Sequence, residues 1–166
     1  VKTTAQGGAA GYDGGKKVKG RKRHIWVDSL GLLLAATVTA ADVSDGAAAC
    51  ELLHERLWEE LPRLKTVYAD SAYRAHCLRE EVFDYAPFRL VVVSRPAGAK
   101  GFVRLPQRWV VERTFAWLGR ARRLAKDVEA SVESSVAMIQ ICMIHLMLRR
   151  LAPSTELQTY PFQYAG

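Results

Sequence analysis

Two acids and a group of arginines are the side chains best placed to do chemistry. Glu112 lies in the stretch Arg108-Trp109-Val110-Val111-Glu112-Arg113, and Asp70 closes the run Lys65-Thr66-Val67-Tyr68-Ala69-Asp70, 42 residues earlier. Carboxylates bind hard divalent cations such as Mg2+ through oxygen. A cation held this way can stabilise the attacking and leaving oxygens of a phosphodiester, while nearby guanidinium groups offset the backbone charge. Paired acids among arginines are the residue mix that such chemistry needs. Each signal also has a plainer reading. Arg108 and Glu112 are an i, i+4 pair, worth roughly a few tenths of a kcal/mol on a helix surface. Asp70, or Ser71 beside it, serves equally well as the cap of a following helix.

The elements that must carry these residues follow from periodicity and breakers. Residues 1–20 read as a glycine-rich loop. His24–Asp28 and Leu32–Ala40 read as two strands joined through Ser29-Leu30-Gly31 as a hairpin. Ser44 or Asp45 caps a helix running to about Glu60, with Cys50, Leu53 and Leu57 on one stripe. Lys65–Asp70 reads as a strand, Ser71 to Phe83 as a helix, and Leu90–Ser94 as a short apolar strand. Pro106 opens a helix expected to reach Lys126, and a last helix spans Ser131 to Leu151. On the first of these, Val110, Val111, Thr114, Phe115, Trp117, Leu118, Ala121 and Leu124 share an apolar arc. Arg108, Trp109, Glu112, Arg113, Arg120 and Arg123 share the other arc. Strands alternating with helices imply an α/β fold, with Asp70 at a strand C-terminus, where open α/β sheets place their sites.

The 166 residues carry a net charge of +7 with 49% hydrophobic residues, enough to fill a core. The charge is uneven. Residues 1–24 and residues 104–126 each carry +6, and the remainder carries −5. Such a field steers a polyanion toward one face. Lys16, Lys17, Lys19, Arg21, Lys22 and Arg23 form the first block and are expected to contact nucleic-acid phosphates without reading sequence. In the second block the expected contacts are Arg108, Arg113, Arg120 and Arg123, with Trp109 available to stack on an unpaired base. The three cysteines are widely spaced, with neither zinc spacing nor a disulfide framework, which points to a reducing compartment. His24, His54, His76 and His145 lack ligand spacing and read as structural. The apolar run Val136–Leu148 is shorter than the ~20 residues of a membrane span, so no membrane partner is expected.

Three stretches resemble the catalytic domain of bacterial insertion-sequence transposases of the DDE class. They are Gly11 to His24, Tyr68-Ala69-Asp70-Ser71-Ala72-Tyr73, and Arg108 to Leu118 with Glu112 in its second turn. The resemblance covers roughly residues 1–151, leaving 152–166 as a tail. It implies an RNase H-like fold, a mixed five-stranded sheet flanked by helices. It implies that Asp70 and Glu112 are the second and third catalytic acids, both holding Mg2+ or Mn2+, with Arg108 as the arginine one turn before the glutamate. The family's tyrosine position holds Leu105 here, and its lysine position falls at Gly119-Arg120. The family's first acid sits on the central strand, upstream of the segment matching Val1-Lys2-Thr3; Asp13 and Asp28 do not occupy its position. The chain is thus expected to hold a catalytic domain whose first, central strand is largely missing.

The activity implied by the resemblance is Mg2+-dependent cleavage at the ends of an insertion sequence, followed by strand transfer into target DNA. The partners would be those DNA ends and the target, with a homodimer left open. The location would be the cytoplasm, associated with the nucleoid. Two alternatives stand beside it: a catalytically inactive DNA-binding remnant, and a structural basic domain that binds RNA.

Overall fold

The computed structural model describes residues 1–3, 8–54, 57–70, 87–94, 98 and 106–152. Its elements begin with three strands, β1 (Gly11–Asp13), β2 (Val18–Val27) and β3 (Leu33–Ala40), and a helix α1 (Asp45–His54). Two further strands follow, β4 (Thr66–Asp70) and β5 (Arg89–Val93), then helices α2 (Pro106–Gly119) and α3 (Val132–Leu151). The α/β class expected from the pattern is the one observed. The helix expected over residues 71–83, the Leu105 position, His76, Cys77 and nearly all of the 152–166 tail lie outside the described residues.

The β2–β3 hairpin forms where Gly31 and Asp28 require it. Asp28 Oδ1 accepts hydrogen bonds from the backbone N–H of Leu30 (2.9 Å) and Leu32 (2.8 Å), and Gly31 adopts φ +83°. A side chain at Gly31 would be strained by that φ and would also meet Thr114 Oγ1 at 2.7 Å. The antiparallel register pairs Arg21 with Ala40 and Trp26 with Ala35, with a bulge between Trp26 and Val27. The first 20 residues are not all loop. β1 pairs antiparallel with the start of β2, Gly11 opposite Gly20, so much of the first basic block is strand. The turn between them is held by Asp13 Oδ1, which accepts from the N–H of Gly15 and Lys16, each at 3.0 Å.

Ser44 caps α1 as expected, its Oγ accepting from Ala47 N–H at 3.2 Å. Ser131 does the same for α3, accepting from Ser134 N–H at 3.1 Å. β4 and β5 pair in parallel, Thr66 opposite Arg89 through Asp70 opposite Val93. Among the described residues the strands form two sheets, β1-β2-β3 and β4-β5, where a single mixed sheet was expected.

Helix α2 is shorter than its apolar periodicity implies. It ends at Gly119 instead of continuing to Lys126, and Ala121 is extended (φ −75°, ψ +115°) before a single 3-10 turn over Arg122–Leu124. The turn drops Leu124 into the core, where it is buried with Val38, Leu118, Ile139 and Met143. Helix α3 runs for 20 residues, so by length and composition alone it is apolar enough to cross a membrane. In this fold its buried stripe packs on β3 and the end of α2. Cys50 is disulfide-bonded, contrary to the expectation of reduced thiols, while Cys142 is a free thiol.

His24 is structural, as expected. It is 3% exposed, and its Nε2 lies 3.1 Å from Thr39 Oγ1. Burial holds its imidazole below the ordinary value, reinforced by Lys22 and Lys16 and opposed by Asp45. The unfolded chain therefore binds a proton more readily than the folded one. Stability is complete above the ordinary imidazole pKa of about 6.5 and falls as pH drops below it toward the lowered folded value. Thermal melts between pH 7.5 and pH 5 should show this loss, and His24→Gln should flatten it. Equal slopes for parent and variant would remove His24 as the cause.

Candidate active site

β4 delivers Asp70 at its C-terminal end, and α2 packs against that strand. One turn apart on α2, Arg108 and Glu112 project toward it. Arg108 Nη1 lies 3.2 Å from Asp70 Oδ2, and Arg108 Nε donates to Glu112 Oε1 at 3.1 Å. A single guanidinium therefore joins the strand acid to the helix acid. Asp70 is 31% exposed, Arg108 52% and Glu112 51%, so the cluster is open to solvent. Both acids line a cleft of about 680 Å3 between β2 on one side and β4, β5 and α2 on the other.

Helix α2 is held to the β2–β3 hairpin by Thr114, which is fully buried. Its Oγ1 donates toward the carbonyls of Gly31 (2.9 Å) and Val110 (3.0 Å). Arg113 adds a second tie, its Nη2 donating to Leu30 O at 3.1 Å. These bonds fix the rotation of α2 and so the direction in which Arg108 and Glu112 point.

The expected cationic residues divide into several environments. Lys16, Lys22, Arg23 and Arg108 line the same cleft as the acids. Lys22 is held by Val43 O (2.9 Å) and Asp45 (3.2 Å), and Arg23 by Leu124 O (2.7 Å). Lys17 is exposed on the β1–β2 turn and Lys19 is exposed at the start of β2. Arg113 lies over Trp109 and Trp117, 4.8 Å from each ring centroid, and Arg150 lies 4.4 Å from the Trp117 ring centroid. Arg120 and Arg123 follow the end of α2 and do not continue its polar face. Arg123 is paired with Glu129 at 2.8 and 3.3 Å.

Arg21 is the correction in this set. It is 0% exposed, and its guanidinium is enclosed by Asp127, Ser135 and backbone carbonyls, so it presents nothing to a phosphate. Its acidic partner lies 106 residues away, beyond any local pattern. Two residues escaped the sequence reading. Tyr68 lines the cleft, half exposed, two residues before Asp70 on β4. Arg150 reaches Trp117 from the far end of α3. The i, i+2 spacing of Tyr68 and Asp70 was a usable signal for the first; nothing local announces the second.

The acid pair has the donor chemistry of a hard-cation site. Mg2+ is commonly held by one or two carboxylates together with substrate phosphates. Among the described residues no group of three or more metal-binding side chains occurs. Asp13 and Asp28 are engaged in their own turns.

Residues 1–147 match the family described as the transposase DDE domain. The chain belongs to that family. It is also 32% identical over 133 residues to a Burkholderia cepacia protein described as a transposase for insertion sequence element IS402. The alignment takes in 75% of this chain, which spans about 62% of the length of that curated relative. No solved structure matches the chain significantly. The two acids that Arg108 joins in this DDE-domain chain are the two that the sequence resemblance singles out.

Arg21→Met should cost about 3–5 kcal/mol of stability in urea titrations, because Asp127 is left buried without its cation. It should do so without the proportionate fall in salt dependence of DNA binding that loss of a phosphate contact produces. A loss below about 1 kcal/mol would contradict the structural role.

Proposed function

We propose that this chain is catalytic-domain material of an insertion-sequence transposase, acting on DNA phosphodiesters with a divalent metal. The observation that carries the reading is the Asp70–Arg108–Glu112 cluster on a cleft that Lys16, Lys22 and Arg23 also line. Acids able to hold Mg2+ or Mn2+ thus stand beside cations able to hold phosphates, which is the division of labour that phosphodiester cleavage requires.

On this reading Asp70 and Glu112 would hold the metal, which would supply Lewis acidity toward the scissile phosphate. Arg108 and the cleft cations neutralise and orient the phosphate backbone. Lys17, exposed on the β1–β2 turn, Lys19, exposed at the start of β2, and Arg113, Trp109, Arg120 and Arg123, on and after α2, extend the contact to flanking DNA. Attack by water on the phosphodiester at the element end breaks its P–O3′ bond and frees a 3′-hydroxyl; in-line attack by that hydroxyl on a target phosphodiester forms a new P–O bond as the target's own 3′-oxygen leaves.

The fold reading that goes with it is RNase H-like over residues 1–151, with β3-β2 and β4-β5 as two parts of one mixed sheet. Supporting this, Val1 and Arg21 exchange hydrogen bonds in the manner of an antiparallel pair, at 2.6 and 3.0 Å. A homodimer belongs to the same reading. Ile141, Ile144, Leu148 and Leu151 form an exposed stripe along α3 at the spacing a second helix would cover. The site of action would be the cytoplasm, at the nucleoid.

A second reading is a DNA-binding remnant without catalysis, favoured by a cluster that holds two acids, not three, among the described residues. Incubation with duplex DNA and Mg2+ separates the two. If the metal reading holds, the parent nicks DNA. Asp70→Asn and Glu112→Gln should each lose on the order of a hundredfold in rate while duplex affinity is kept. Salt-sensitive binding with no metal-dependent cutting favours the remnant. Undiminished cutting by both variants would remove the acids from the mechanism.

A further inference from the structure

We propose that Arg108 is the resident counter-ion of the acid pair and that its transfer from the carboxylates to a DNA phosphate couples metal entry to DNA arrival. The proposal rests on the placement of a divalent cation at Asp70 and Glu112 and goes beyond it, to how that site is controlled.

The geometry is one cation serving two anions. Nη1 faces Asp70 Oδ2 at 3.2 Å and Nε faces Glu112 Oε1 at 3.1 Å, so different edges of the guanidinium are committed to the two acids. A divalent cation needs the same carboxylate oxygens and is repelled by the same guanidinium. Arg108 cannot yield by losing its proton, since guanidinium stays charged at any working pH. It can yield only by moving.

The surroundings permit that movement. All three side chains are between 31% and 52% exposed, and bridges of this kind are each worth a factor of only about two to five in equilibrium terms. Arg21 is the contrasting case, an arginine immobilised in full burial by Asp127 and several carbonyls. Two other cleft cations, Lys22 and Arg23, are less free to respond, because they are tied to Val43 O, Asp45 and Leu124 O. Among the described residues the hydrogen-bond and ion-pair partners found for Arg108 are the two acids themselves.

A phosphodiester is the other natural partner of a guanidinium fork. When a phosphate enters the cleft, Arg108 exchanges one anion for another, and the two carboxylates are left to the metal. Each charge keeps an opposite partner throughout. By linkage, whatever factor DNA adds to metal affinity, the metal adds to DNA affinity. Before DNA arrives, the acids are neutralised by the protein's own cation and bind metal weakly.

Titration of the full chain with Mn2+, read by the electron paramagnetic resonance signal of the free ion, tests this without requiring turnover. Arg108→Gln should bind Mn2+ about three- to tenfold more tightly than the parent when DNA is absent. A 20-base-pair duplex should tighten Mn2+ binding by a similar factor in the parent and leave Arg108→Gln nearly unchanged. Arg108→Lys keeps the charge without the fork and should fall between the two. It also provides an independent test should circular dichroism show that the glutamine variant is misfolded. Unchanged or weaker Mn2+ binding by folded Arg108→Gln, or DNA coupling that survives in it, would overturn the proposal. Asp70→Asn and Glu112→Gln measured alongside separate it from the reading beneath it. If they lower Mn2+ affinity, the metal site stands whatever Arg108 does. If neither lowers it, the site itself is misplaced and the coupling falls with it.

Discussion

The buried guanidinium of Arg21 is the constraint on which the remaining architecture depends. A charge taken fully out of water is tolerable only if nearly all its donors are met and an opposite charge is close. Here Nε donates to Ala9 O, Nη1 to Glu129 O, Ser131 O and Ser135 Oγ, and Nη2 to Ala130 O, with Asp127 Oδ1 at 3.4 Å. Asp127 is satisfied in turn by the Ser135 hydroxyl at 2.8 and 2.9 Å and by Glu129 N–H. These bonds draw together β2, the segment before β1 and the start of α3. The first residues join the same knot, since Asp127 N–H donates to Lys2 O at 3.1 Å. The packing leaves no room for a side chain at Gly8, where a Cβ would lie 2.3 Å from Ala130 O and 2.5 Å from Arg21 itself.

From that knot, order passes to the acids through short, rigid links. β2 carries the hairpin, the hairpin turn presents the carbonyls of Leu30 and Gly31, and Arg113 and Thr114 fasten α2 to them. The second basic block is therefore divided in its roles. Arg113 is part of the fastening and lies over two indoles, while Arg108, two turns of contact removed from the core, is left to the acids. The same residue type acts as a permanent structural ion in β2 and as an exchangeable one on α2. The difference is solvent: full burial makes a broken ion pair costly, whereas half exposure lets water and mobile ions substitute for either partner.

Much of this was legible in the chain itself. The hairpin, the caps Ser44 and Ser131 and the pairing of Arg108 with Glu112 all follow from contacts within a few residues, where turn chemistry and helical spacing apply directly. β1 was hidden among glycines that read as loop. The early end of α2 was hidden because Ala121 and Leu124 fit a helical stripe equally well whether or not the helix continues. The bond that Cys50 makes had no signal in its spacing.

What the sequence by itself determined, then, is local: the element types, the membership of the DDE-domain family through its motifs, and the identity of the two acids and the arginine beside one of them. Only the tertiary structure decided which charges are spent inside. Arg21 and Arg23 sit two apart on one strand in a run of cations, yet the first is sealed from solvent and the second keeps part of its surface in water. It also decided that Asp70 and Glu112 share one guanidinium. Both outcomes depend on pairings across 38 to 106 residues, between Asp70 and Arg108 and between Arg21 and Asp127. Electrostatic energy depends on distance and burial in space, and neither can be read from separation along the chain.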